Sequence, residues 1–479
     1  MPRTGGRATF TVAAIVVALG LASLLLPSTA TYDPWAWIVW GREVVHGDLT
    51  TATGPSWKPL PVVVTSLAAP FGSIAPDVWI VVARIGAIAA IVLAFQIGRR
   101  LAGPLAGFVA AAPLAVAPWW FWNAWLANSE ALLVAFVLGA IAAELAGRRP
   151  TALACGIAAG LLRPEAWPFL LLYAGWLAWR AGWRDRAAIA AALTILPLAW
   201  LLPEKWGSGD YWRAATRAQN PDPGAASLTD HPWLTIVGDF VDMLPPALWA
   251  VVAVWAAVAV WALVRGRGDG TPATTGAAPD GPEPARRVLL AALWIAGLGL
   301  AWLAVVAVMT ERGYSGNERY LISPLALIAL AAALLLGLGL RRLPRPATAV
   351  VAGAVVAVVA VTAIVDLPDQ VDRVFYESRL VDDLPNAIEQ AGGADRLRAC
   401  APVITSKFMV PQTAWQMREH AQEIGYLHDP PYGVLLRLRI REGGGIEPRT
   451  DGYVGLRRLA RTKYWDVQAA CRPGQGEAR

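Results

Sequence analysis

The sequence predicts an α-helical polytopic membrane protein, about eleven transmembrane helices followed by a small α/β domain outside the bilayer. Three observations predict it. Of the 479 residues, 56% are hydrophobic and only 16% charged, with mean hydropathy +0.46, more apolar surface than one soluble core can hide. Apolar runs of near-spanning length recur at about 10–27, 79–98, 105–117, 129–147, 151–162, 165–179, 187–202, 245–264, 288–309, 320–340 and 346–365. Beyond residue 365 the polarity becomes ordinary, with 16 Lys/Arg and 16 Asp/Glu in 366–479 against 25 and 19 in 1–365. Residues 1–365 therefore read as a membrane domain and 366–479 as a soluble one. The formal charge of +6 belongs to the membrane part, whose arginines stand in small groups at the ends of apolar runs rather than on one basic face, and this argues against nucleic acid as a partner.

The first run carries Arg3 and Arg7 ahead of it, which places the N-terminus in the cytoplasm by the positive-inside rule. Its sequel "PSTA" also fits a signal-peptide cleavage site, but the apolar core is long for a signal and an uncleaved first span is favoured. Crossing at each later run then puts every arginine group inside: Arg99/Arg100, Arg148/Arg149, Arg180/Arg184/Arg186, Arg265/Arg267/Arg286/Arg287 and Arg341/Arg342/Arg345. That agreement requires "WKPLPVVVTSLAAPFG" (57–72) not to cross. The stretch is short and opens on prolines, so it reads as a juxtamembrane or re-entrant segment. A large first external loop then runs over 28–78, and the chain after 365 is external in the plasma membrane of the cell.

Residues 266–285 form a Gly/Pro/Thr/Ala-rich cytoplasmic linker expected to be disordered. In the tail, "APVITS" and "YGVLLRLRI" read as strands, while "VPQTAWQMREHAQEIG" and "YVGLRRLARTKYWDVQAAC" read as mostly helical. Cys400 and Cys471 either pair, if the tail is outside the cell, or remain two thiols; Cys155 lies in an apolar run. No Cys/His spacing suggests a metal site.

Polar chemistry gathers at the outer boundary. Asp33 opens "DPWAWIVWGREVVH", a helix apolar on almost every side and so expected in the interface. Its carboxylate reads as an N-cap and as a general base toward a hydroxyl, two compatible roles, although full capping would lower its basicity. Arg42, Glu43, His46 and Lys58 follow in the same loop. Glu130 in "NSEALL" stands at the outer mouth of a span, either as a first-turn acid or as a site residue. "LLRPEAWP" puts Arg163 and Glu165 at a hairpin tip, and "NERYLISP" puts Arg319 and Tyr320 before a late span. The "EKWGSGDYWRAATR" loop joins these clusters. Carboxylates and cations at one boundary suit an anionic lipid headgroup, held by guanidinium and ammonium groups while a carboxylate takes a proton. Arg84 alone is clearly within a span, where it snorkels or faces a cavity. Most of the 24 tryptophans read as interfacial anchors and a minority as lining for a sugar or lipid site.

This layout resembles the C-type membrane glycosyltransferases (GT-C). "YDPWAWIVWGREVVHGDL" is similar to that family's acidic residue and amphipathic helix in the first external loop, and "GPSWKPLPVV" to its proline-rich second juxtamembrane segment. Glu130 matches a second acidic position, "LLRPEAWP" resembles the Arg-Pro-Glu hairpin of the bacterial polysaccharide subfamily, and "NERYLISP" its Arg-Tyr-x-x-Pro start of a late span. The resemblance implies inverting transfer of a hexose or pentose from a polyprenyl-phosphate donor to a cell-envelope glycan or glycolipid on the outer face. Asp33 would be the base, and Lys58, Arg163 and Arg319 the phosphate ligands. Arg42, Glu43, His46, Glu130, Glu165 and Tyr320 complete the expected substrate-binding set. The family often has a second carboxylate close to the first, which "DPWAW" lacks, so a divalent metal is left open but unsupported, and no cofactor is firmly expected beside the lipid-linked donor substrate. The expected partners are membrane lipid, lipid-linked sugar and the glycan acceptor; oligomeric state is left open. The rival reading is a lipid-linked glycan transporter or assembly scaffold, for which inverted repeats or a mid-membrane row of ionisable groups would speak.

Overall fold

The computed structural model describes residues 4–244, 249, 282–340, 344–426, 431–439 and 447–472. The expected span 245–264, apart from Trp249, and the linker 266–285, apart from its last four residues, lie outside the described residues. Those last four are helical, because Pro282 opens the helix that follows.

Fifteen described helices make up the first part of the chain: α1 (Thr4–Ala22), α2 (Tyr32–His46), α3 (Pro59–Ala68), α4 (Ala75–Ala102), α5 (Pro104–Val116), α6 (Pro118–Trp125), α7 (Glu130–Leu145), α8 (Arg149–Leu162), α9 (Trp167–Trp179), α10 (Trp183–Ser208), α11 (Arg213–Ala218), α12 (Pro232–Asp242), α13 (Pro282–Glu311), α14 (Ile322–Leu340) and α15 (Arg345–Val365). Proline stands in the first turn of α3, α4, α5, α6, α8, α9 and α12, where its missing N–H is not needed. Five helical stretches are long and apolar enough to cross a membrane: Pro59–Ala102, Trp183–Ser208, Ala285–Glu311, Glu318–Leu340 and Pro346–Gln390. A sixth is added if α5 and α6, bent by 62°, count as one span. The apolar runs at 151–162 and 165–179 form shorter helices. The 14 residues of α8 advance only about 21 Å, less than a hydrocarbon core of roughly 30 Å, because extended Arg163 and Pro164 stop the helix there.

The segment 57–72 is a separate short element. Its helix α3 has 10 residues, about 15 Å, and is broken from α4 at Gly72, where φ is 61° and ψ −123°. Helix α2 lies directly on α3. A Cβ on Gly41 would come within 2.6 Å of the Thr65 carbonyl carbon, and the Thr65 hydroxyl donates to Trp37 O at 2.7 Å, so the two helices touch backbone to backbone. At the centre of the bundle stands α14, with Leu325, Leu330 and Leu334 fully buried, packed by α4, α5, α7 and α13. The facing residues of α4 and α5 are small, among them Ala90, Ala94, Ala102, Ala106 and Ala110, which lets backbones approach where dispersion rather than water expulsion drives association. Arg84 neither snorkels nor faces the large cavity described below. It is 2% exposed, donates to Ser23 O, Ser23 Oγ, Ser28 Oγ and Trp125 O at 2.9–3.3 Å, and lies 4.1 Å over the Trp125 ring, tying the link after α1 to α6.

The C-terminal unit holds α16 (Leu367–Asp382), α17 (Leu384–Gln390), α18 (Gly393–Ala399) and α19 (Val410–Met417) around a five-stranded sheet. Its strands are β1 (Val403–Thr405), β2 (Ile424–Gly425), β3 (Gly433–Leu438), β4 (Arg457–Arg461) and β5 (Trp465–Ala470), in the order β2-β1-β3-β5-β4. Strand β1 runs parallel to β2 and β3, and β5 antiparallel to β3 and β4. Two helical expectations are corrected here. Within the stretch 453–471, residues 457–470 form the β4–β5 hairpin, because β5 is captured by β3, with Trp465 and Val467 fully buried opposite Leu438 and Leu436. The helix begun at Val410 ends at Met417, where Arg418 takes a left-handed φ of 57°. Cys400 and Cys471 form a disulfide between the end of α18 and the end of β5.

Candidate active site

Five breaks between helices bring their charged residues to one end of the bundle. Asp33 sits in the first turn of α2. The N-cap is Thr31, whose hydroxyl is taken by Asn128 Oδ1 at 2.6 Å, and the Asp33 carboxylate accepts from Arg319 Nη2 at 2.6 Å. The capping reading of Asp33 is thereby replaced by an ion pair. Lys58 is the residue before α3, Glu130 the first of α7, and Arg163 the extended residue closing α8, with Glu165 in the short turn after it. Arg319 lies in the turn before α14, fixed by Asn317 Oδ1 accepting its backbone N–H at 3.1 Å.

Glu130, 1% exposed, is the hub. It pairs with Arg163 Nη2, with Lys58 Nζ at 3.7 Å and with Arg319 Nε at 3.9 Å. Arg163 also reaches Glu165 at 3.4 Å and lies 4.0 Å over the Tyr320 ring. Lys58 Nζ donates to Ser129 Oγ at 2.7 Å and sits 4.9 Å from the centre of the Trp37 ring. Three carboxylates therefore interleave with three cations, a neutral set. Several polar atoms have no hydrogen-bond partner among the described residues: Glu130 Oε2, Glu165 Oε2, Arg163 Nε and Arg319 Nε. Buried polar groups are rarely left unsatisfied, so this end of the bundle has hydrogen-bonding capacity to spare for a ligand. Burial and the neighbouring Arg163 guanidinium bring the Lys58 ammonium down to about 7, against the opposing pull of Glu130.

The cluster borders a cavity of about 1300 Å³ lined by Asp33, Lys58, Arg163, Glu165, Arg319 and Tyr320. Trp167, Trp200, Leu201, Val305 and Met309 give it apolar walls. The link 50–57 that delivers Lys58 is held on α10 and α11: Thr51 Oγ1 donates to Glu204 at 2.7 Å, Arg213 donates to Gly54 O and Pro55 O, and Trp57 Nε1 donates to Ala199 O at 3.0 Å. The "EKWGSGDYWRAATR" stretch, read only as a connecting loop, supplies this bracket.

Arg42, Glu43 and His46 do not line the cavity. They lie farther along α2, where the C-terminal unit docks. Arg42 donates to Glu419 O at 2.6 Å, and Glu43, 2% exposed, accepts from Thr50 N at 3.0 Å and meets His420 Nδ1 at 2.8 Å. His46 is exposed and its Nδ1 contacts Arg42 O at 2.7 Å. Their position follows from helix geometry: Arg42 and Glu43 are nine and ten residues past Asp33, about 14–15 Å along the axis. Glu43→Ala is expected to lower the heat-unfolding midpoint through loss of charged hydrogen bonds of about 1.5–3 kcal/mol, which thermal unfolding of the purified variant beside wild type checks. Among the described residues no three His, Cys, Asp or Glu side chains come together to hold a metal ion. The carboxylates of the cluster are instead turned to Lys and Arg.

No protein-family model matches the chain, and no curated protein matches it significantly. Solved structures do. The chain is similar over nearly its whole length to ArnT from Cupriavidus metallidurans. Against the apo state the TM-score is 0.40 at 16% identity, covering 97% of this chain and 98% of that one. Against the form bound to undecaprenyl phosphate it is 0.38 at 14% identity, covering 98% of each. A likeness at this level carries no assignment of activity, which must come from the site itself.

Proposed function

We propose that the chain is an integral-membrane glycosyltransferase that moves a sugar from a polyprenyl-phosphate donor to a cell-envelope glycan or glycolipid on the outer face, with inversion. The observation that supports it most is the convergence of Asp33, Lys58, Arg163 and Arg319, from four separate segments, on one cavity with apolar walls. In this reading the donor phosphate lies against Lys58, Arg163 and Arg319, and the apolar walls take the first isoprene units. Asp33 accepts the proton of the acceptor hydroxyl as its oxygen attacks the anomeric carbon. The bond from that carbon to the phosphate oxygen breaks, and polyprenyl phosphate leaves with the electron pair, its charge stabilised by the three cations.

The same reading carries about eleven spans, a cytoplasmic N-terminus and an external unit after residue 365. Arg100 and Arg149 both reach the end of α7 opposite Glu130, where Arg100 donates to Leu145 O at 3.0 Å and Arg149 pairs with Glu144 at 3.7 Å. Basic groups at the end opposite Glu130 suit a cytoplasmic face there and an outer site.

The test is transfer from a synthetic polyprenyl-phosphate sugar to envelope glycan by purified wild-type protein in lipid. Transfer supports the reading; folded protein that moves no sugar from any such donor overturns it in favour of a carrier or scaffold. A pH series adds a second expectation. Protonated Lys58 attracts phosphate and neutral Lys58 does not, so with its ammonium at about 7 the affinity for polyprenyl phosphate should weaken as pH rises through neutrality. Lys58→Arg, which stays charged, should flatten that slope and leave only the titration of the lipid phosphate.

A further inference from the structure

The cations take one side of the cavity and the apolar side chains another, and a third wall comes from the C-terminal unit: Lys407, Phe408, Met409 and Gln412, in the turn before α19 and its first turn. Phe408 is 63% exposed and meets the Tyr32 ring edge-on at 6.3 Å, and Tyr32 directly precedes Asp33. Lys407 forms an ion pair with Asp222, from the segment between α11 and α12, across the same opening. Gln412 is 3% exposed, and its Oε1 has no hydrogen-bond partner among the described residues. A buried amide oxygen left without a donor is unfavourable, and a hydroxyl entering beside it supplies one.

We propose that this turn is the acceptor subsite and that the acceptor is an uncharged glycan. The proposal rests on the glycosyl transfer proposed above. With the donor against the cationic and apolar walls, the wall of Lys407, Phe408, Met409 and Gln412 facing the Asp222 segment is left for the group that reaches Asp33. Sugar rings present C–H faces to aromatic rings and hydroxyls to amides and carboxylates, and Tyr32, Phe408 and Trp212 beside Gln412 and Asp222 offer both. Charge narrows the class further. Away from the Asp33–Lys58–Arg163–Glu165–Arg319 cluster, the cavity's lining carboxylates Asp222, Asp239, Glu318 and Glu377 outnumber Lys407 and Arg217, which disfavours a uronate or phosphorylated acceptor.

The test uses the full chain in lipid nanodiscs and measures two affinities separately, for polyprenyl phosphate and for tetrasaccharides: neutral glucan, mannan and arabinan fragments against tetragalacturonate. Wild type should bind at least one neutral fragment and not the uronate. Phe408→Ala and the near-isosteric Gln412→Leu should each weaken neutral saccharide binding by about tenfold or more, with polyprenyl-phosphate affinity within about twofold, which also reports that the variants are folded. The proposal is overturned if the uronate binds better, if no neutral fragment binds wild type, if both variants keep wild-type saccharide affinity, or if they lose both ligands together. Wild type that fails to bind polyprenyl phosphate instead overturns the transferase reading, a different result.

Discussion

Asp33→Asn should lower glycan transfer by about 10²- to 10⁴-fold in kcat while leaving donor affinity equal or tighter. The substitution keeps the volume of the side chain, and the Asn amide oxygen still accepts from Arg319. The start of α2 is set by Thr31 and its bond to Asn128, not by Asp33, so the helix is expected to form unchanged. What is lost is the proton acceptor and one negative charge. Arg319, which holds Asp33 at 2.6 Å, is then less engaged and more available to a phosphate. Steady-state transfer with separate donor-binding measurements gives the answer. A variant with wild-type kcat removes Asp33 from the role of base, and a rise in donor KM at unchanged kcat makes it a binding residue instead.

Glu130→Gln should be the most destabilising single change in the cluster. Glu130 is 1% exposed and faces Lys58, Arg163 and Arg319 at once, so the neutral amide leaves three buried cations against Asp33 and Glu165 alone. Removing one partner of a buried ion pair costs about 3–5 kcal/mol, because the remaining charge stays desolvated and unpaired. The heat-unfolding midpoint should fall accordingly, and polyprenyl phosphate should restore part of it, since an anion bound there replaces the missing charge. Adding Lys58→Met to Glu130→Gln should recover stability while weakening donor binding. An unchanged midpoint in Glu130→Gln, or stability that no anion restores, would show that the three cations do not share that carboxylate.

How much of this was legible before folding differs from residue to residue. Asp33, Lys58, Glu130, Arg163, Glu165, Arg319 and Tyr320 each stand at the end of an apolar run, and charges so placed announce themselves because a bilayer tolerates few of them. Arg42, Glu43 and His46 follow Asp33 in the same first external loop with the same local signals, yet Arg42 and Glu43 hold the C-terminal unit, His46 is exposed, and none of the three lines the cavity. Nothing in the sequence separates the two groups, since the difference is distance along α2. Gln412 and Phe408 gave no signal at all. An amide and a phenyl ring in a soluble tail look ordinary until the tail is seen to close the cavity.

The soluble strands show the same division. "APVITS" and "YGVLLRLRI" carry enough apolar alternation to be read locally, whereas 453–471 owes its hairpin to pairing with β3, a partner some thirty residues away in the chain. By itself the sequence determined the helical membrane class, the separate position of 57–72 and the places where charge gathers, because hydropathy, proline and charge act over a turn or two of chain. Only the tertiary structure decided which of those charges face one another, that Asp33 is an ion-pair partner and not a cap, and which wall the C-terminal unit supplies. Those outcomes depend on contacts between residues as much as 377 positions apart, whose energies no local pattern encodes.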